Sequence, residues 1–434
     1  MSLISQMNFQ NPWWADKGKI YEDEHIRKVL SSKPRFLIRY PEGNLLVLGP
    51  RQVGKTSLMK TAIMRLLESG VEPAKILFFS CDSLKDKGDL VSLLSDYRSL
   101  VNSEGGFIFL DEITFVREWN VGLLHLFNSG YLRDSTIYVS GSSSVSLMKE
   151  TLPGRPLSKV VLYPLNFRVI FNVFFRELNL PKVPLSDIKG FYNTSTKLLP
   201  HLPQLNRALM EYVKRGGFFT TNYVDGDPLN VLYEVYKDAV LSDLARLGRN
   251  ERTFKEIMAK IVESYGSRIS ENTIAKRTSV GSHNTVSSYL DLAEKLFVLR
   301  TFWKVENGRV NTRSFKKVYF VDPFIYRVMK RYSTGEGISE EDVPHVVEGI
   351  VGEHLAREYS TGYTFFKGGR EVDFVIDDVG VEVKLGGGEF RDLRMDKGYV
   401  LTLDEMRIEG NKAIMPISMF LYMISSNRVL YPWS

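Results

Sequence analysis

Short, largely apolar runs punctuate the first third of the chain: Leu45–Leu48, Ile76–Phe79, Gly106–Leu110 and Thr136–Val139. Their apolar residues fall on consecutive positions, as in parallel strands buried on both faces. After the first run, Ser57–Ile63 switches to helical spacing, and this alternation predicts an α/β fold. Phe167 to Leu180 is aromatic and apolar at helical spacing, which predicts core positions for Phe171, Phe174 and Phe175. Pro181 through Pro203 is a less regular connector.

From Thr253 the pattern changes. Phe254, Ile257, Met258, Ile261 and Val262 share one helical face. Ser270 then caps a short helix (Glu271 to Thr278), Gly281 turns the chain, and Ser282 opens a longer helix to about Leu296. This is helix-turn-helix spacing, packed through Ile274, Ala275, Val280, Val286, Tyr289, Leu290 and Leu296. Two strand-like runs follow on either side of Asn307-Gly308, a hairpin signal that completes a winged helix. In the tail, Val346–Glu358 predicts a helix, and Tyr363–Phe366, Glu371–Ile376 and Val381–Lys384 predict strands.

Composition narrows the class. The chain has 434 residues, two to four domains at roughly 150 residues each. With 44% hydrophobic and 25% charged residues, it is not a disordered chain. The single cysteine, Cys81, excludes an intrachain disulfide and a multi-cysteine zinc site, and reads as a small buried strand-end residue. The longest nearly apolar stretch, Ile414–Ile424, is interrupted by Pro416 and Ser418 and is too short for a bilayer. The start lacks the basic region of a signal peptide, so a cytoplasmic location without a membrane partner is expected. Charge is uneven: residues 250–330 carry 15 basic and 8 acidic side chains, whereas 331–434 carry 11 and 18.

The strongest chemical signal is Gly49-Pro50-Arg51-Gln52-Val53-Gly54-Lys55-Thr56 with Ser57 after it, the pattern G-x-x-x-x-G-K-[ST] between a strand and a helix. Gly49 and Gly54 let backbone N–H groups close around phosphate oxygens at a helix N-terminus. Lys55 reaches the β- and γ-phosphates and the Thr56 hydroxyl ligates Mg²⁺, so ATP and Mg²⁺ are the expected cofactors. The third run ends in Asp111-Glu112, a Walker B element: Asp111 holds the metal and Glu112 polarises the attacking water. Past the fourth run, Ser142 or Ser143 is placed to sense the γ-phosphate or simply to cap a helix. Arg155, on a Pro-Gly loop, is placed as an arginine finger or as a surface ion pair.

Asn11-Pro12-Trp13-Trp14, the loop GPRQVGKTSLMK, LDEITFVREWN (Leu110 to Asn120), SGSSS, LPGR and LYPLNF (Leu162 to Phe167) occur in one order. Together they resemble a largely uncharacterised family of archaeal and bacterial AAA-type P-loop ATPases with a C-terminal domain of nuclease-like fold. The resemblance covers essentially the whole chain. It implies a RecA/AAA-type parallel five-stranded core with a helical lid, then the winged helix, then an α/β restriction-endonuclease-like domain. The corresponding segments are 1–165 for the core and N-terminal arm, 166–249 for the lid, 250–320 for the winged helix and 321–434 for the nuclease-like domain. The family's usual Gln after Leu-Asp-Glu-Ile is Thr114 here. Trp13 and Trp14 either stack on adenine or anchor the N-terminal arm to the core.

Two further constellations suggest what such an ATPase acts on. His283 and Asn284 on the second helix, with Arg300, Lys304, Arg309, Arg313, Lys316 and Lys317 on the hairpin, form a candidate surface for double-stranded or branched DNA. The competing reading makes the winged helix an intrachain docking module with a solvated basic face. In the tail, Asp373 with Glu382-x-Lys384 has the spacing of PD-(D/E)xK nucleases, with Asp373 and Glu382 as metal ligands and Lys384 orienting water. Glu353 on the preceding helix would complete the set. Three functions therefore stand at this point: an ATPase acting on DNA, a regulatory ATP switch for a protein partner, and an ATP-gated structure-specific nuclease. Oligomerisation is compatible with all three.

Overall fold

A computed structural model describes residues 2–32, 43–101, 105–143, 157–223, 228–306, 309–365 and 371–432. They form two compact units, Met1–Tyr163 with Leu430–Ser434, and Pro164–Val429. The first unit is built on β1 (Leu45–Leu48), β2 (Ile76–Ser80), β3 (Gly106–Asp111), β4 (Ser135–Gly141) and β5 (Ser158–Leu162). These strands are parallel in the order β5-β1-β4-β3-β2, and the return strand Leu430–Pro432 adds antiparallel to β5. Registers Leu48↔Gly141 and Leu110↔Val139 bring the ends of β1, β3 and β4 to one edge of the sheet, where ligands of open α/β sheets bind. Helix α1 (Lys55–Glu68) leaves that edge directly after β1.

β2 is an edge strand, and an uncovered edge invites pairing with another chain. The N-terminal arm covers it with side chains. Asn11 behaves as a strand would: its Nδ2 donates to the Phe78 carbonyl at 2.8 Å and its Oδ1 accepts from the Phe78 N–H at 2.6 Å. The indoles of Trp13 and Trp14 both donate to the Ile76 carbonyl, and Gln10 accepts from the Ser80 N–H. Residues 76, 78 and 80 alternate along the strand, so these contacts occupy its outward-facing backbone groups. The paired tryptophans thus anchor the arm.

The second unit holds an eight-stranded mixed sheet. Its strands are β6 (Leu299–Glu306), β7 (Arg309–Phe320), β8 (Gly362–Phe365), β9 (Glu371–Ile376), β10 (Val379–Val383), β11 (Gly398–Thr402), β12 (Arg407–Glu409) and β13 (Lys412–Pro416). Their order is β12-β13-β11-β10-β9-β8-β6-β7. The helix-turn-helix pair, α2 (Glu271–Lys276) and α3 (His283–Lys295), precedes the β6–β7 hairpin, and α4 (Val343–Glu358) precedes β8. Pro416 ends β13, and the apolar Ile417–Ile424 becomes a buried helix of this unit.

Where the sequence suggested four segments, the structure groups residues 164–429 together and returns Leu430–Pro432 to the first unit. The physical reason is strand pairing: β6 of the hairpin pairs with β8 of the tail, so one sheet crosses the expected boundary at residue 320. Phe174 and Phe175 are exposed at 41% and 43%, contrary to the helical-spacing expectation; only Phe171 of the three is buried. The helix ends at Phe174, and Phe175 leaves helical geometry at φ −117° and ψ −86°.

Replacing Asn11 with Ala should leave the Phe78 N–H and C=O without side-chain partners, at a cost of about 3 kcal/mol. Hydrogen–deuterium exchange should then quicken across Ile76–Ser80, and the unfolding midpoint in urea should fall. Unchanged exchange across β2 would show that the arm is not its cover.

Candidate functional site

The loop after β1 is shaped by its backbone. Gly49 has φ +150°, and a Cβ there would lie 2.2 Å from the Leu162 carbonyl oxygen, so no side chain fits. Gln52 takes a left-handed φ of 62°, and Gly54, at φ 106°, precedes α1 without a side-chain cap competing for the first-turn N–H groups. Pro50 and Val53 are buried, Arg51 is half-buried, and the Ser57 hydroxyl lies 3.1 Å from His25 Nδ1. The buried Lys55 ammonium donates to the Gly49 and Pro50 carbonyls, both at 3.0 Å. A cation, a loop of backbone groups and a helix N-terminus thus converge on one point, the arrangement that receives phosphate.

The acidic pair closes the site. Asp111, 4% exposed, accepts from Thr56 Oγ1 at 2.6 Å on one oxygen and from the Ser140 hydroxyl on the other. The Thr56 hydroxyl and Asp111 carboxylate are hard oxygen donors at one place, a pair that fits Mg²⁺. Glu112 turns through a left-handed φ of 56°, and its N–H donates to Ser140 Oγ. Its carboxylate meets Arg51 at 3.1 Å, Lys55 at 3.8 Å and the Ser142 hydroxyl at 2.9 Å.

The two acids are driven apart electrostatically. Burial, then the neighbouring Glu112 charge, pushes the Asp111 carboxyl up against the hydrogen bonds from Ser140 and Thr56. Burial also opposes ionisation of Glu112, but Lys55, Arg51 and Ser142 outweigh it and hold the group below the usual carboxylate value. Glu112 is therefore an ionised acceptor held among cations. Burial raises the Cys81 thiol well above its ordinary value, an inert setting for the one cysteine.

Ser142 contacts Glu112 directly, and Ser143 is buried beside it. Ser140, which sequence reasoning passed over, bridges both acids; its signal was its place at the end of a strand neighbouring β1. Thr114 Oγ1 is buried without a hydrogen-bond partner next to Gly141. Arg155 lies outside the described residues.

In the second unit the candidate basic surface divides. His283 and Asn284 are exposed at the start of α3, together with Lys276 and Arg277 at the end of α2, and Arg309 is exposed on β7. The other described hairpin cations are not a solvated face. Arg300 pairs with Glu353 at 2.6 Å, Lys304 with Glu306, and Lys316 with Glu271. Lys317 is 0% exposed. Strand periodicity sends Lys316 and Lys317 to opposite faces, and helices cover both. The Asn307-Gly308 turn and the Arg313 side chain lie outside the described residues.

The tail constellation assembles with different members from those expected. Asp373 and Glu382 stand on paired strands, and Lys384 Nζ lies 2.7 Å from Glu382 Oε1. Burial, then the Asp373 charge, pushes the Glu382 carboxyl up, and its Oε2 is buried without a hydrogen-bond partner. Glu353 does not join them: Arg300 and Arg357 hold both of its oxygens. The helix glutamate that reaches Asp373's surroundings is Glu348, bonded to Lys317 at 2.6 Å and to Tyr319. Five residues along a helix is a rotation of about 140° beyond a full turn, so Glu348 and Glu353 face different neighbours. Among the described residues, no three His, Cys, Asp or Glu side chains are disposed to hold a metal.

Comparison with known proteins agrees with the geometry of the first unit. The family model for an AAA domain matches residues 42–171, and that for a domain of unknown function (DUF8612) matches residues 206–336. The chain carries an AAA-type P-loop domain followed by a second, mixed α/β domain. Similar solved structures include the Thermotoga maritima RuvB Holliday junction branch migration motor, 18% identical over 68% of this chain and 91% of that one, with TM-score 0.23. AMPPCP-bound DnaA from Aquifex aeolicus is 19% identical over 58% of this chain and 82% of its own, also with TM-score 0.23. No curated protein matches the chain.

Ser140→Ala removes one partner from each acid and leaves the buried Glu112 N–H without its acceptor. Nucleotide binding measured by calorimetry in the presence of Mg²⁺ should weaken by about tenfold, the equivalent of one lost buried hydrogen bond. Unchanged affinity would show that Ser140 does not position the pair.

Proposed function

We propose that the chain is a Mg²⁺-dependent ATPase, with magnesium–ATP bound at the loop Gly49–Ser57 and hydrolysed by the acids that end β3. The observation that supports this most directly is the 2.6 Å contact of Thr56 with Asp111, with Glu112 3.8 Å from the Lys55 ammonium. Loop N–H groups and Lys55 bind the β- and γ-phosphates; Thr56 and Asp111 hold the ion. When bound, Mg²⁺ neutralises charge developing on the phosphates. Glu112 accepts the proton of the water whose oxygen attacks the γ-phosphorus, as the bond to the β–γ bridging oxygen breaks. The γ-phosphate competes with Glu112 for Arg51 and Lys55, which frees the carboxylate for that water.

Lys55→Ala should abolish magnesium–ATP binding in calorimetry. Glu112→Gln should keep binding and lose about 10²–10⁴-fold in turnover. Wild-type hydrolysis by either variant would defeat the assignment.

A second reading adds duplex DNA as the object of the ATPase. It is favoured by the exposed Lys276, Arg277, His283 and Asn284, clustered on the helix-turn-helix pair. It rests on this pair, because of the described wing candidates only Arg309 is exposed while Arg300, Lys304, Lys316 and Lys317 are paired with carboxylates. Lys276→Glu with Arg277→Glu should weaken duplex binding and flatten the slope of log affinity against log salt by about 2. Unchanged binding and slope would favour instead a nucleotide switch that engages a protein partner. An ATP-gated nuclease has less support, since Asp373 is already engaged on both oxygens.

A further inference from the structure

Asp373, Glu382 and Lys384 match a nuclease pattern whose chemistry requires Mg²⁺ at the aspartate, where one or two carboxylates would hold the ion and waters or substrate oxygens would complete its octahedron. The surroundings of Asp373 leave neither of its oxygens open to an ion. Its Oδ1 faces the Lys317 ammonium at 3.1 Å, and its Oδ2 accepts from the Val383 N–H at 3.0 Å. The same ammonium meets Glu348 Oε1 at 2.6 Å and Glu371 Oε1 at 2.8 Å. Three carboxylates thus surround a lysine nitrogen, which donates to Glu348 and Asp373 and is paired by charge with Glu371. Glu382 keeps one buried oxygen without a partner, while its other oxygen is paired with Lys384.

This placement is built by the fold. Glu371 and Asp373 are two residues apart on β9 and so share a face; Lys317 and Tyr319 do the same on β7. β6 and β8 lie between those strands in the sheet, yet Lys317 on β7 reaches Asp373 on β9 at 3.1 Å. The β6–β7 register shifts between Trp303 and Lys304. Glu348 reaches the cluster because α4 lies close above: a Cβ at Gly352 would fall 2.5 Å from the Phe374 ring, and one at Gly349 2.7 Å from the Tyr265 hydroxyl.

We infer that Lys317 is a resident cation that stands in for the metal of the nuclease-like constellation, making this centre a metal-free pin that ties β7, β9 and α4 together. The inference concerns the second unit alone and holds whether or not the first unit turns over nucleotide. A buried charge needs partners, and three acids without a cation would repel one another. Removing the ammonium leaves an acidic, oxygen-lined space that a hard divalent ion fills. Lysine at this position therefore excludes the metal rather than assisting it.

The test is Mn²⁺ binding to the full chain without nucleotide, read from the loss of the free-ion electron paramagnetic resonance signal. Wild type and Asp373→Asn should bind Mn²⁺ alike, because no ion resides at Asp373. Lys317→Met should gain one site at least about tenfold tighter than any in wild type, and Lys317→Met with Asp373→Asn should lose it. A wild-type site that disappears in Asp373→Asn would overturn the inference, as would a folded Lys317→Met chain that takes up no additional Mn²⁺. If Lys317→Met does not fold, Lys317→Arg keeps the cation and must match wild type; a gained site in that variant would also overturn it.

Discussion

Asp111 is the point on which the nucleotide site depends. One of its oxygens receives the hydroxyl of Thr56, from the first turn of α1, and the other receives Ser140, from the end of β4. Because β4 lies between β1 and β3, no backbone pairing joins the phosphate loop to the acidic pair. A carboxylate accepting from both sides supplies that connection, and burial strengthens each bond while making a missing partner costly. The parallel register has to end the three strands at one edge for these atoms to meet. Glu112 inherits its place from the same junction, through its N–H on Ser140 and its left-handed turn.

The second unit uses charge for a different purpose. Lys304, Lys316, Lys317, Glu353 and Asp373 are all buried, and each described cation among them is paired with a carboxylate. Buried ion pairs add little net stability compared with apolar packing, but breaking one is expensive, so they penalise wrong registers. Lys316 against Glu271 ties the hairpin to the helix-turn-helix, and Lys317 against Glu348 ties it to α4. The hairpin is thereby a structural edge of one continuous sheet. The same chemistry that attracts a phosphate backbone in solvent is spent here on internal partners.

Much of the first unit was legible along the chain. The loop from Gly49 to Thr56 and the Asp111-Glu112 pair are local patterns, and their contacts are with residues close in sequence or at the end of a recognisable strand. The helix-turn-helix was legible for the same reason: Ile274, Val286, Tyr289 and Leu290 follow helical periodicity and are buried as expected. The acids of the tail were harder. Asp373 and Glu382 could be paired by alternation, but choosing Glu348 over Glu353 needed the rotation of α4 against β7 and β9. Ser140 and the edge-covering role of Asn11 depend on partners 29 and 67 residues away.

Sequence by itself determined where a phosphate-binding loop and its acids lie, because backbone conformation and side-chain type within a few residues create that chemistry. Tertiary structure alone decided what the basic and acidic residues of the second unit do. A charge acts on solvent, a ligand or a neighbour according to its burial and to which distant side chains the sheet brings against it. For Lys316 and Lys317, adjacent in the chain and facing opposite ways, those partners come from α2 on one side and from α4 and β9 on the other.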